Sequence, residues 1–320
     1  MCIRDRSDDL SFFEKLCILS GASAISQAGL DPKGKDTLFV LSSTKGNVEF
    51  LENDPRDERC HIGLSALKIA RFFGNENPPV TVSNACISGV AAQIAAVRQL
   101  LAGRYHTAVV IGADVLSKFI ISGFQSFKAL SQEECRPYDK ERTGLNLGEA
   151  AATMILRATD SPAEDAWIYK SSSIRNDANH ISGPSRTGEG SYRVLKDILK
   201  DVEAGELAFV SAHGTATAYN DEMESKALHR AGLDHTPVSG LKGFYGHTLG
   251  AAGVLETILA MGAVDRNAIL PTRGYEDPGT SHALNISNRL RKTSKRTFIK
   301  MLSGFGGTNA GIAYRKGGEI

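Results

Sequence analysis

Four side chains in this 320-residue sequence have the types that acyl chemistry needs: Cys86, His213, Lys242 and His247. Cys86 stands in Val80-Thr-Val-Ser-Asn-Ala-Cys-Ile-Ser-Gly89, which reads as a β-branched run, a tight turn and the start of a helix. A residue just ahead of a helix meets the partial positive charge of its N-terminus, which favours thiolate over thiol. A thiolate is a nucleophile, but a lone one needs a base from elsewhere in the chain. Without that base a cysteine is simply a small buried apolar residue. Gly89 leaves room for a substrate backbone or a neighbouring helix.

His213 follows a short apolar run and precedes Gly214. Asp221 and Glu224 open the next helical stretch, where carboxylates suit the dipole. Lys242 and His247 lie in a second strand-loop-helix pattern, Gly240 to Gly253. Singly, each histidine reads more readily as a structural or surface residue. Together with Cys86 they fall at the C-terminal ends of expected strands, and in an open parallel sheet those ends converge on one crevice.

The elements that must position them follow from hydrophobic spacing. Helices are expected over 12–28, 62–73, 87–101, 192–199, 221–231 and 249–261. Strands are expected over 37–42, 80–83, 107–111, 150–156, 167–173, 208–211, 237–239, 297–302 and 310–314. Charged or glycine-containing loops fill 53–60, 136–149, 176–190 and 242–247. Strands alternating with helices at this spacing indicate βαβ units and a mainly parallel sheet.

Composition sets the class. Hydrophobic residues make up 42% and charged residues 23%, and the formal net charge is +1. Such balance gives no support for a nucleic-acid or membrane-surface protein. The five cysteines are odd in number and show neither metal-ligand spacing nor a disulfide framework, which fits a reducing cytoplasm. No apolar run is long enough to span a bilayer. The first nine residues are polar and patternless, and read as a disordered or non-native leader without a secretory signal.

Over about residues 10 to 316 the chain resembles a β-ketoacyl-[acyl carrier protein] synthase of the elongating type. The resemblance rests on Asn84-Ala85-Cys86, Arg136-Pro137 through Gly148-Glu149, and His213-Gly214-Thr215 with Asn220-Asp221. It also rests on Lys242 with Gly246-His247 and Gly250-Ala-Ala-Gly253, and on Gly304-Phe-Gly-Gly-Thr-Asn309. Each motif alone is weak; all of them in family order are specific. The second histidine separates this type from the starter type, which resembles Cys-His-Asn. A thiolase would carry a second reactive cysteine where Phe305 stands, and no cysteine follows Cys135.

The resemblance implies an α/β, thiolase-like fold: two pseudo-duplicated βαβ halves in αβαβα layers, 7–158 with the nucleophile and 159–320 with both histidines. It implies decarboxylative Claisen condensation of malonyl-carrier protein with an acyl group on Cys86, in fatty-acid or polyketide synthesis, without cofactor or metal. Family pattern gives His213 and His247 the enolate, and the Cys86 and Phe305 N–H groups the oxyanion hole. Lys242 would order the site through a carboxylate, expected to be Glu224, with Asp221 also supporting. Phe305 would gate the acyl chain, and Phe124, Thr215 and Gly306 would bind substrate. Arg136, Asp139, Arg142 and Glu149 read as a structural polar network.

As partners the resemblance implies an acidic acyl carrier protein, docking at Lys15 and Lys128, and a homodimer or a heterodimer with a related subunit, paired through Val80 to Ser83. Departures are Ile87 after the nucleophile and Tyr219 and Tyr245 near the histidines, so chain length is not transferred. Family members also carry elements ahead of the first helix, which suggests an N-terminal truncation. The rival readings are a non-condensing chain-length partner, an inactive truncated subunit, and a thiolase-like acyl-CoA transferase.

Overall fold

A computed structural model of the chain describes residues 9–318. The leader expected over residues 1–9 falls, except for its last residue, outside the described residues. Four strands, β1 (Thr37–Ser42), β2 (Val80–Val82), β3 (Thr107–Asp114) and β4 (Ala150–Arg157), form a first sheet in the order β2-β1-β3-β4. Six more, β5 (Trp167–Asn176), β6 (Leu207–Ser211), β7 (Pro237–Ser239), β9 (Asn285–Ile286), β11 (Thr297–Gly304) and β12 (Thr308–Lys316), form a second in the order β5-β12-β11-β6-β7-β9. A two-stranded ribbon joins β8 (Ala268–Ile269) to β10 (Arg291–Lys292).

Both large sheets are mixed, with parallel pairs in the majority as expected and antiparallel strands added to them. β1 pairs in parallel with β2 and β3, and β6 with β7 and β11. β12 folds straight back on β11 after the turn 305–307, and β4, which returns only after residues 115–149, also runs antiparallel to its neighbour.

Helices cover the sheets in five layers. α1 (Phe12–Gln27) and α2 (Ile62–Phe72) pack Phe13, Ile18 and Ile69 on the outer face of the first sheet. α5 (Glu189–Ile198) and α6 (Ala218–Arg230) cover the outer face of the second through Val194, Leu195 and Leu228. Between the sheets lie α3 (Ser88–Leu101) and α8 (Ala252–Asp265), sharing one core with Val110, Phe298 and Ile312. α3 is buried almost all round, as its Ala, Val and Ile content requires of a central helix. The α/β, thiolase-like architecture expected from the sequence is the one observed.

α3 and α8 cross where Gly89 meets Gly253. A Cβ on Gly89 would lie 2.7 Å from Gly253 Cα, and one on Gly253 only 2.3 Å from Val90 N. Gly89 therefore serves a neighbouring helix rather than a substrate. Gln93 seals the crossing, donating to Gly89 O, Gly253 O and Thr257 Oγ1 and accepting from Tyr314 OH. Every polar atom of this fully buried amide is used, so its burial carries no unpaired cost.

α4 (Lys118–Ser126) was not legible as a helix: Phe119-Ile-Ile-Ser-Gly interrupts the spacing, and Ser117 Oγ, accepting from Ile120 N, supplies the start. α7 (Lys242–Tyr245) is one helical turn inside an expected loop. Among the described residues no helix is long and apolar enough to cross a membrane.

Candidate active site

Cys86 sits between β2 and α3, on a turn whose preceding residue, Ala85, has φ +44°. That left-handed backbone is costly for a side chain other than glycine. Ser88 holds it, its Oγ accepting from Asn84 N and donating to Ala85 O. The turn points the thiol at the β11–β12 hairpin, where the Phe305 N–H favours the thiolate. Gly304 packs against the Cys86 backbone nitrogen: a Cβ there would lie 3.1 Å away. Two backbone N–H groups, of Cys86 and Phe305, thus border the sulfur.

His213 leaves the end of β6, and His247 follows α7. One ring nitrogen of each lies with Cys86 Sγ in a group whose members are all within 4.8 Å of one another. The two rings meet edge to face with centroids 5.1 Å apart. Residues 146–148 fix His247: its N–H donates to Asn146 O and its carbonyl accepts from Gly148 N. His247 Nδ1 accepts from Leu249 N, and Nε2 has no partner. His213 Nδ1 is also unpartnered. Orphaned buried ring nitrogens in a cavity are available for substrate.

His213 is held by its backbone. Its N–H and that of Gly214 donate to the two oxygens of Glu224, and Thr215 N donates to Asp221 Oδ1. Tyr138 OH and Asn220 Nδ2 complete the shell of Glu224. Lys242 Nζ donates to His213 O at 2.6 Å and to Glu256 Oε1 at 2.8 Å. The carboxylate paired with Lys242 is therefore Glu256, not Glu224. Glu224 supports the same histidine from the opposite side. Glu256 also accepts from Lys300, and all three side chains are fully buried.

Electrostatics follow from this burial. Burial first, then the Lys242 charge, holds both imidazoles well below their usual 6.5, so they are neutral near pH 7. Burial pushes the Cys86 thiol up to about 11, against the opposing pull of Lys242 and Lys45. Desolvation thus outweighs the helix N-terminus that favoured a resting thiolate, and Cys86 rests as the thiol beside two neutral imidazoles. Burial and the neighbouring Glu224 raise Asp221 to about 7. Among the described residues Cys86, His213 and His247 are also close enough to share a metal ion. The Lys242 and Lys300 ammonium groups, which act on both rings, oppose a dication there.

The trio closes a cavity of about 400 Å³. Phe124 and Thr215 line it, as does Lys128, whose backbone has φ +52°. Phe124 stacks on Phe305 at 5.7 Å, and Phe127 meets Phe305 edge-on at 5.1 Å. Gly306 does not line the cavity: its N–H donates to Ile181 O and its carbonyl accepts from Asn176 Nδ2, tying the hairpin to residues 176–181. Lys15 is exposed on α1 and does not line the cavity either. Asp139 accepts from Glu141, Glu276 and Asp277 N–H groups, and Arg142 donates to Asp139 O and Gly279 O, a network that stitches loops. Sequence reasoning missed Glu256, Lys300, Phe127 and His180, which also lines the cavity. The signal for the first two was a lone charge inside an apolar helix and an apolar strand.

A cysteine on a strand-to-helix turn, two neutral histidines and two backbone donors around one cavity, on this five-layer scaffold, define a thiolase-fold acyl-transfer enzyme. The chain belongs to the β-ketoacyl synthase family, whose members transfer acyl groups and form carbon–carbon bonds. The model of the beta-ketoacyl synthase N-terminal domain matches residues 3–161, and that of the C-terminal domain residues 166–276. The 3-oxoacyl-[acyl-carrier-protein] synthase 2 of Vibrio harveyi is 31% identical over 96% of this chain and 82% of that protein. Nodulation protein E of Rhizobium leguminosarum bv. trifolii is 31% identical over 78% of this chain, which spans 64% of that protein. Among solved structures, a beta-ketoacyl synthase from Burkholderia phymatum STM815 aligns with TM-score 0.88 at 25% identity, covering 96% of this chain and 82% of that one. The ishigamide ketosynthase/chain length factor aligns with TM-score 0.86 at 26% identity, covering 98% and 84%.

Proposed function

We propose that this chain is a 3-oxoacyl-[acyl carrier protein] synthase acting by decarboxylative Claisen condensation, with Cys86, His213 and His247 as its catalytic residues. The observation that carries the reading is the meeting of sulfur and two neutral ring nitrogens within 4.8 Å at one cavity. Cys86 attacks an acyl thioester as the thiolate, and its proton leaves on the departing carrier thiol. The Cys86 and Phe305 N–H groups hold the tetrahedral oxyanion, worth about 3 kcal/mol per donor. A malonyl thioester then loses CO₂, and the enolate oxygen accepts hydrogen bonds from His213 and His247. Its carbon attacks the acyl-Cys86 carbonyl, the sulfur departs and takes up a proton, and a 3-oxoacyl product two carbons longer leaves. Phe305 gates the acyl chain, with Phe124 and Thr215 against substrate. Gly306 acts through the loop it ties down, and Lys242, Glu224 and Asp221 position His213.

The halves 7–158 and 159–320 supply nucleophile and histidines respectively. An acidic carrier protein docks at the cavity mouth by Lys128, with Lys15 as a more distant contact. β2 has β1 on one side and an open edge on the other, which suits pairing with a second copy or a related subunit across a two-fold axis. Presence of Cys86 favours the condensing member of such a pair over the chain-length partner. The protein works in the cytoplasm on either fatty-acid or polyketide precursors.

The test is direct. With acyl- and malonyl-carrier protein, the chain is expected to yield 3-oxoacyl product and an acyl adduct on Cys86 by mass spectrometry. Cys86→Ala should abolish both. Turnover that persists in Cys86→Ala, or an adduct on another residue, refutes the assignment.

A further inference from the structure

Residues 211–215, which carry His213, run between charges of opposite sign. On their N–H side stand Glu224 and Asp221. On their carbonyl side stand two lysines. Lys242 takes His213 O, and Lys300 Nζ takes Ala212 O at 2.9 Å and Ser211 O at 3.2 Å, with Ser211 Oγ at 3.4 Å. Lys300 projects from β11, in Thr297-Phe-Ile-Lys-Met-Leu302, and is fully buried. Between the lysines Glu256 gives one oxygen to each.

One lysine and one glutamate would already make a neutral buried pair. The second ammonium is a further buried charge beside that pair, which is costly unless something compensates it. Its hydrogen bonds to three acceptors at the end of β6 provide part of that compensation. They also fix the two peptide units that lead into His213. The Lys300 charge, with that of Lys242, opposes protonation of both imidazoles. The charged and titratable groups around it are Glu256 from α8, Lys242 from α7, Glu224 from α6, and the two histidines.

We propose that Lys300 is a positioning residue for the condensation: it locks the end of β6 so that His213 faces the Cys86 sulfur, and its positive charge helps keep protons off both imidazoles. The inference rests on the condensation reading. Its effect belongs to the decarboxylation half-reaction, where the enolate needs neutral donors, and not to Cys86 acylation. Burial holds Lys300 itself down to about 8, so the charge is present through the neutral range and fades above it.

The test uses Lys300→Met in the full chain, with the histidines titrated by NMR and the two half-reactions measured separately. Expected are imidazole titrations moved up by about one pH unit. Malonyl decarboxylation should fall about tenfold with KM and Cys86 acylation within about twofold of wild type. Unmoved titrations with both half-reactions lowered equally would reduce Lys300 to packing and overturn the proposal, as would no change at all. If Lys300→Met does not fold, Lys300→Gln, which keeps a donor toward Ala212 O but loses the charge, must give the same titration shift. A wild-type protein that never condenses would sink the functional reading, while the NMR titration would still decide the role of Lys300.

Discussion

His247 shows how much chemistry one hydrogen bond decides. Because Nδ1 accepts from Leu249 N, the neutral ring carries its hydrogen on Nε2, the atom left without a partner. An enolate oxygen can take that hydrogen; a protonated ring would instead add a charge the site is built to exclude. His247→Ala should therefore cost decarboxylation about a thousandfold while leaving Cys86 acylation near wild type, measured by CO₂ release against adduct formation. Both native imidazoles are held well below 6.5, so condensation should not lose rate as pH falls from 7 to about 6. Stability runs the other way. Below 6.5 the unfolded chain binds protons that the native rings refuse, so unfolding should become easier as pH falls. A thermal melt that is flat between pH 7 and pH 5 would contradict the buried neutral rings. The thiol gives a third check. Held up at about 11, Cys86 in the free enzyme should alkylate with iodoacetamide more slowly at pH 7 than an ordinary cysteine and should quicken steadily through pH 9.

At the scale of elements, the site depends on two helices approaching closely enough to share it. α3 carries Cys86 at its head, and α8 follows His247. Their crossing at Gly89 and Gly253 has no room for a methyl group. Gly253→Ala should cost about 2 kcal/mol, read as a lower denaturation midpoint, and should lower activity further by separating sulfur from imidazole. This crossing also marks what was legible in the sequence. Cys86, His213 and His247 were legible because each follows a short apolar run and precedes small residues, a pattern local enough to read. The αβαβα order came from the resemblance, since no spacing rule says which helix goes between the sheets. Glu256 was illegible as Lys242's partner. Fourteen residues separate them, and Leu-Glu-Thr-Ile reads as one turn of an apolar helix. Glu224 stood closer to the histidine motif and drew the assignment. Lys300 was hidden the same way, a cation in a strand where only burial against β6 shows its purpose. Phe127 was missed because α4 itself was missed, and its contact with Phe305 depends on where that helix ends.

For the molecule as a whole the open edge of the first sheet is the feature that calls for a second chain. β2 is only three residues long and pairs with β1 alone among the described strands. Val82 gives its carbonyl to Ser43 on the β1 side. Alternation along the strand then turns the peptide groups of Thr81 to the open edge, and Thr81 is exposed. An unpaired edge next to Cys86 invites aggregation unless another strand covers it. A two-fold partner would cover it and brace the Cys86 turn from outside. Thr81→Pro removes the outward N–H and spares the bonds that Val82 makes to β1. If the chain pairs through this edge as proposed, sedimentation should then show a wild-type assembly shifted toward single chains. Condensation should fall with it, because Ala85 keeps its left-handed backbone only while both sides of the turn are held. A Thr81→Pro protein that stays paired would move the interface elsewhere. One that separates yet condenses at full rate would show that the turn stands without its neighbour.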